Sequence, residues 1–199
     1  MLFPLRALLL GCALALAGCA AAPPRNLVDL PAGTTAPGLP SHFELFGRIS
    51  VREAGRGFSG GVRWQHSPER DELLFTTPLG QGVAEIVSGP GEARLTTANA
   101  RHVAADAESL TEKLLGWRLP LAGLAWWALG SNAPGSPAQA EFDADGRMAR
   151  LQQDGWEISY LGYVTGSSGR ALPRTLEATR ESLEIRLTVD DWTSGDAGR

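Results

Sequence analysis

The chain has 199 residues, with 18 lysines and arginines against 22 acidic side chains and a formal net charge of −4. That length favours one domain around one core, and the mildly acidic balance excludes the basic stripe of a nucleic-acid binder. Lys113 is the only lysine and no Gly-x-x-x-x-Gly-Lys-Ser/Thr run exists, which excludes a nucleotide phosphate loop.

The chain opens on Arg6, an apolar run from Ala7 to Leu16, and two small residues, Ala17 and Gly18, ahead of Cys19. A charged start, a short apolar core and a small-residue cleavage site make a secretory signal rather than a membrane span, which takes about 20 apolar residues. The ending Leu16-Ala17-Gly18-Cys19 resembles the lipobox of bacterial lipoproteins, in which the chain is cut before the cysteine and that cysteine carries the lipid. Residues 1–18 are therefore expected to leave, taking Arg6 and Cys12 with them. The remainder has 17 basic and 22 acidic side chains, net −5, and Cys19 as its only cysteine. No disulfide within the chain is then possible. Residues 19–41 are expected to be the lipidated cysteine and a flexible tether. Ala20 to Ser41 holds five prolines and little apolar periodicity, and as a random coil it would span roughly 25 Å. Asn26 to Leu30 has the composition for at most one turn of helix. The folded domain is expected over 42–193, with 194–199 as a tail.

Alternation begins at Phe43. Phe43, Leu45, Gly47, Ile49 and Val51 share one face, with Glu44, Arg48, Ser50 and Arg52 on the other, so the stretch predicts a strand. Phe46 breaks the pattern. After a turn at Gly55 and Gly57, Phe58 to Gln65 predicts the returning strand of a hairpin. Asp71 to Thr77 is a third strand; Leu73 and Phe75 lie on one face and Leu74 on the other, which predicts cover on both sides. Thr77-Pro78-Leu79-Gly80-Gln81-Gly82 is turn chemistry. Strands follow at Val83–Ser88, Glu92–Thr97 and Arg101–Ala104.

The period then changes. Asp106 is placed to cap a helix in which Leu110, Leu114 and Trp117 fall at helical spacing and which Gly116 ends. Pro120 opens a second helix that carries Leu121, Leu124, Trp126, Trp127 and Leu129 and stops at Gly130. It is apolar nearly all round, so it must be buried or face something greasy. After a loop over Ser131–Pro137, strands are predicted at Ala138–Asp143, Met148–Gln153, Glu157–Val164, Thr175–Ala178 and Leu183–Val189, with Asp145-Gly146 and Asp154-Gly155 as hairpin turns. Ten or eleven strands in one antiparallel sheet tend to curl. A two-helix insertion is the right size to lie across one face as a lid or plug.

No constellation of residues predicts catalysis. Gly57-Phe58-Ser59-Gly60-Gly61 matches Gly-x-Ser-x-Gly, but a nucleophile elbow needs strand, sharp turn and helix, and here the strand runs on to Trp64. His42, His66 and His102 are scattered and show no metal-ligand spacing. Asp143-Ala-Asp145-Gly146 begins like a calcium loop and lacks its distal glutamate. Asp190 and Asp191 are adjacent on a strand and so should face opposite ways. Trp126 and Trp127 suit a core or an apolar binding site. No cofactor and no metal are expected.

A family resemblance rests on motifs in order. They are Phe43 to Val51, Gly61-Val-Arg-Trp64, Thr77-Pro78-Leu79-Gly80, Leu114-Leu-Gly116, Leu119-Pro120, Trp127-Ala-Leu-Gly130, Gln153-Asp-Gly155-Trp156 through Tyr160 and Tyr163, Leu172-Pro173, and the strand from Leu183 to Trp192. In this order, after a lipobox, they resemble the outer-membrane lipoprotein receptor family LolB over about residues 43–192. The one departure is the proline-rich segment where the family often has an N-terminal helix. The resemblance implies an unclosed antiparallel β-barrel with helices covering an apolar cavity. It implies a monomer at the outer membrane, lipid-anchored through Cys19 and facing the periplasm. Such a receptor takes lipoproteins from the periplasmic carrier LolA, holds their acyl chains in the cavity, and inserts them into the inner leaflet of the outer membrane. Leu79 would sit at the tip of a protruding loop and promote delivery. Leu45, Ile49, Val62, Trp64, Leu124, Trp127, Ile185 and Leu187 are the candidate cavity lining. Ala20, after the anchor cysteine, is not the aspartate that retains many such proteins at the inner membrane. Read from residues alone, a general lipid or glycolipid carrier and a scaffolding lipoprotein with a filled core stay open, and a hydrolase built on Ser59 is a distant third.

Overall fold

A computed structural model describes residues 27–166 and 169–195. Twelve strands form one sheet: β1 (Val28–Leu30), β2 (His42–Glu53), β3 (Arg56–Ser67), β4 (Arg70–Thr76), β5 (Gly82–Gly89), β6 (Glu92–Thr97), β7 (Arg101–Ala104), β8 (Ala138–Phe142), β9 (Met148–Gln153), β10 (Trp156–Thr165), β11 (Ala171–Arg180) and β12 (Leu183–Gly195). Helices α1 (Ala107–Leu115) and α2 (Leu121–Ala128) stand between β7 and β8. The spatial order is β1-β8-β9-β10-β11-β12-β2-β3-β4-β5-β6-β7. Every pair is antiparallel and the sheet stops at β1 and β7, so it curls without closing.

Register explains the core. Because side chains alternate across a strand, in-register apolar positions build rows along one face. One row runs Trp192, Leu45, Trp64, Leu73, Ile86 and Leu95 over six neighbouring strands. A second runs Val51, Ile185, Ala178, Ile158, Leu151 and Ala140 across the other half. All of these side chains are buried. A curled sheet bends its apolar face inward, and the helices cover what remains.

Gly60 marks a close approach between β3 and β4. A Cβ there would run into Thr76 O and lie 2.7 Å from Phe58 Cζ, so only glycine lets the end of β4 lie against β3 at this point.

The predicted cap holds: Asp106 Oδ1 accepts from Ser109 N at 2.7 Å. Thr111, fully buried, ties the helices together, donating from Oγ1 to Ala107 O at 2.9 Å and accepting from Leu119 N at 2.9 Å. α2 has no side-chain cap, and Leu121, Leu124, Ala125, Trp127 and Ala128 are buried.

Three expectations change. The stretch expected to make a turn of helix makes a strand instead: Val28–Leu30 pairs with β8 and supplies the twelfth strand. The segment after it is fastened as well. Gly33 N donates to Pro134 O, Asn132 Nδ2 to Thr34 O, Ala36 N to Ser131 Oγ, and Arg170 Nη1 to Pro37 O. The chain from 28 to 41 is thus a strap across the domain, and a free tether cannot include it. Lastly, Leu74 is 37% exposed, so β4 is covered on one side only.

Candidate functional site

The loop between β4 and β5 is held from within. Thr77 N donates to Gln81 O at 2.8 Å, Gly80 N to Thr77 O at 2.8 Å and Gln81 N to Thr77 Oγ1 at 3.2 Å. Pro78-Leu79-Gly80 is therefore a three-residue hairpin loop, and its left-handed residue is Gly80 at φ +83°. Leu79 is not among the positive-φ residues, which fits a type I turn with proline at its second position. The geometry leaves Leu79 no neighbour to pack on. It is 89% exposed, far more than any other large apolar side chain described.

The sheet's inner face is the second part. Leu45, Ile49, Val62, Trp64, Leu124, Trp127, Ile185 and Leu187 come together in one apolar cluster, each at most 4% exposed. A side chain bordering a hollow would itself be accessible to water. These eight instead fill the interior they share with α2, so the greasy space is closed by the protein's own side chains in this state. Larger spaces lie elsewhere. A groove of about 620 Å³ runs past Leu30, Pro31, Pro137 and Trp156, and another of about 490 Å³ past Leu129, Met148, Tyr163, Arg147 and Arg170. None of the eight lines either groove.

What holds α2 in place is polar. Gln153, 3% exposed on β9, accepts from Trp127 Nε1 at 3.0 Å and from Ala133 N at 2.8 Å. Its amide nitrogen donates to Ala133 O at 2.8 Å and to Ser136 O at 3.0 Å. Tyr160 donates to Trp127 O at 3.1 Å, and burial pushes its hydroxyl pKa well up, so it stays a donor. Sequence reasoning gave Gln153 no role. The signal was there: it shares parity with Leu151, while Arg150 and Gln152 share the other face, so a polar side chain had to point inward.

The remaining candidates resolve as structure. Ser59 is exposed in mid-strand. His66 Nδ1 lies 2.7 Å from Asp71 Oδ1, which also accepts from Trp64 Nε1 at 2.8 Å, and its ring stacks on Phe43. His42 sits half-buried at the start of β2, and His102 is exposed on β7. Asp143 accepts from the backbone of Arg147 and Asp145 and from the Arg147 side chain, bonds that hold its carboxyl below the usual range and make the segment a turn. Asp190 and Asp191 do not face opposite ways; a β-bulge leaves both exposed, and Asp190 pairs with Arg48 at 3.1 Å. Trp126 is half-buried beside the buried Trp127. Among the described residues, no group of acidic, histidine or cysteine side chains is arranged to hold a metal, and no helix is long and apolar enough to cross a membrane. Cys19 lies outside the described residues.

A family model described as outer membrane lipoprotein LolB matches residues 41–192. The chain belongs to the LolB family. Proteins named outer-membrane lipoprotein LolB from Nitrosomonas europaea and Thiobacillus denitrificans are each 42% identical to it, over 78% and 90% of this chain and 76% and 92% of theirs. LolB membership places the chain among lipid-anchored outer-membrane proteins and not among enzymes. Two solved structures share the fold at low identity. A DUF1329-family protein from Desulfovibrio piger superposes with a TM-score of 0.51 at 7% identity, over 81% of this chain and 89% of that one. A LolA-superfamily protein from Nitrosomonas europaea superposes at 0.50 and 8%, over 78% and 87%. The half-open sheet of this LolB chain is thus an architecture that survives almost complete change of sequence.

Proposed function

We propose that this protein is the outer-membrane receptor that accepts lipoproteins from the periplasmic carrier LolA and delivers them into the inner leaflet of that membrane. Its anchor is the lipid on Cys19. The observation that carries the reading is Leu79, an apolar side chain 89% exposed on an internally hydrogen-bonded loop beside a sheet whose inner face is mostly apolar.

Physical chemistry asks for such a device. Hydrating roughly 45 acyl carbons at about 0.8 kcal/mol each costs on the order of 30 kcal/mol. Free diffusion of a lipoprotein through water is then negligible, and each step must shield the chains. The receptor's shield is the sheet's inner face. Leu45, Ile49, Val62, Trp64, Ile185 and Leu187 form its wall, and Leu124 and Trp127 of α2 occupy the space the chains would take. Entry of a chain displaces α2; its departure lets α2 fall back. With no nucleotide site in the sequence, transfer runs downhill, from carrier to receptor to bilayer. Leu79 biases the last step. Burial of one leucine gains about 2 kcal/mol, too little to anchor a protein and enough to turn its mouth toward a membrane.

The test is Leu79→Glu in the lipidated protein. It should still take lipoprotein from a loaded carrier and lose delivery to vesicles by roughly 30-fold, the factor that 2 kcal/mol represents. Undiminished delivery would refute the role.

A further inference from the structure

We propose that the outer wall of β2, β3 and β4 beside the Leu79 loop is a second membrane-contact surface, and that its occupant is a phospholipid bilayer. The inference rests on the reading of Leu79 as a membrane-seeking residue and extends it from one side chain to a face. Phe46 is 41% exposed, Leu74 37% and Val83 37%. Phe46 and Leu74 stand at strand positions that point away from the core, where a soluble sheet ordinarily shows polar residues. They share one row, because Phe46 pairs with Arg63 and Arg63 with Leu74. Leu74 reaches the base of the loop: a Cβ built on Gly82 would lie 3.8 Å from its Cδ1. Val83 sits at the irregularity in the β4–β5 pairing, directly after Gly82. An apolar stripe thus runs from the loop tip down the wall. Other exposed apolar side chains, such as Leu161 on β10, stand apart from it.

Charges of both signs frame the stripe: Asp191 pairs with Phe46 at one end of the row and Glu85 with Leu74 at the other, and Arg63 stands between the two apolar side chains. The Arg63 guanidinium lies 5.5 Å from the centre of the Phe46 ring. In the row nearer the loop, Arg48 is followed by Gly61 and Thr76. Each arginine has an acidic partner, Glu44 for Arg63 and Asp190 for Arg48, and both guanidiniums reach solvent, where they can also meet lipid phosphate. Apolar side chains interspersed with arginine are the composition of surfaces that lie in a membrane interface. A stable protein interface needs some 20–30 residues a side, far more than this stripe offers. A protein held at the bilayer by its own lipid needs only a weak contact that sets its tilt.

The experiment uses the mature lipidated protein in phosphatidylethanolamine–phosphatidylglycerol vesicles. The sulfur of Cys19 is blocked there, so single substitutions Phe46→Cys, Leu74→Cys, Leu79→Cys and, as control, Leu161→Cys each take one environment-sensitive fluorophore. Labels at 46, 74 and 79 should shift to the blue and be quenched by a lipid-borne quencher, and the label at 161 should do neither. A response at 79 with none at 46 and 74 overturns the wall and leaves the loop standing. No response at 79 overturns the loop reading itself. A shift at 46 and 74 that appears only with added carrier, or only at high protein density, overturns the bilayer as occupant in favour of a carrier or a second copy.

Discussion

Gln153→Met tests whether α2 is the cover of the acyl-chain site. The side chains are close in length and flexibility, so packing is nearly kept and the amide alone is removed. Five groups lose a partner: Trp127 Nε1, Ala133 N, Ala133 O, Ser136 O and Ser136 Oγ. The two carbonyls belong to half-buried residues and have a second lone pair, and Ser136 Oγ keeps its bond to Asp154 Oδ2. The indole and amide N–H groups are left unsatisfied at about 1–3 kcal/mol each. The expected loss is about 3 kcal/mol of latch energy, which raises the population with α2 detached roughly 100-fold. Urea denaturation measures the loss of stability. Hydrogen exchange should quicken over α2 and the loop to residue 137, while β2 and β12 keep their protection. Uptake of a fluorescent fatty-acid analogue should rise, since α2 now yields more readily. A variant that loses the stability and takes up no more probe would refute the idea that α2 occupies the acyl-chain space. A variant that loses under about 1 kcal/mol, the scale of one ordinary hydrogen bond, would show that Gln153 is no latch.

Four further outcomes follow from the same structure. Gly60→Ala should cost about 1–3 kcal/mol in a urea titration, because its methyl would run into Thr76 O; Gly135→Ala, with nothing within 4 Å, should cost little. Asp106→Ala should remove about 1 kcal/mol through the lost cap of α1, read as faster hydrogen exchange at Ser109 and its neighbours. Asp106 is held below its ordinary value of 3.8 chiefly by the Ser109 N–H, so its contribution is complete above 3.8 and is lost as pH falls through the lower, folded-state value. Glu108, raised above 4.5 first by burial and then by Asp106, has the opposite sign: its contribution is present below 4.5 and is lost as pH rises through the folded value. The pH dependence of stability in Asp106→Ala should therefore flatten on the acid side. Cys19→Ala should release the protein from membranes without unfolding the domain, since stable attachment takes more than one acyl chain; fractionation with membranes all the same would count against Cys19 as the anchor.

Much of the sheet was legible because alternation is a local property. Phe43 to Val51 and Leu183 to Val189 declare which side chains share a face, and both strands lie where the pattern put them. The α1 cap was legible for the same reason, since Asp106 reaches only three residues along the chain. Of the site, Leu79 was visible as a leucine in a proline–glycine turn, and its assignment came from family likeness. Val28–Leu30 was missed because three residues carry no period, and their strand exists only through pairing with β8. Leu74 was misjudged for a related reason: an apolar residue on the second face of a strand says nothing about whether another element lies over it. Gln153 offered an inward-facing polar side chain as a signal, but its partners are 17 to 26 residues away.

The sequence by itself determined the types of the two helices and the longer strands, and the two-faced chemistry of those strands, because periodicity and turn residues act over a few positions. The tertiary structure alone decided that the apolar rows align across the strands, that α2 fills the space they enclose, and that Phe46, Leu74 and Val83 remain on the outside. Register and curvature come from pairings between residues far apart in the chain, and the difference between a filled interior and an exposed patch is a matter of which neighbour arrives there.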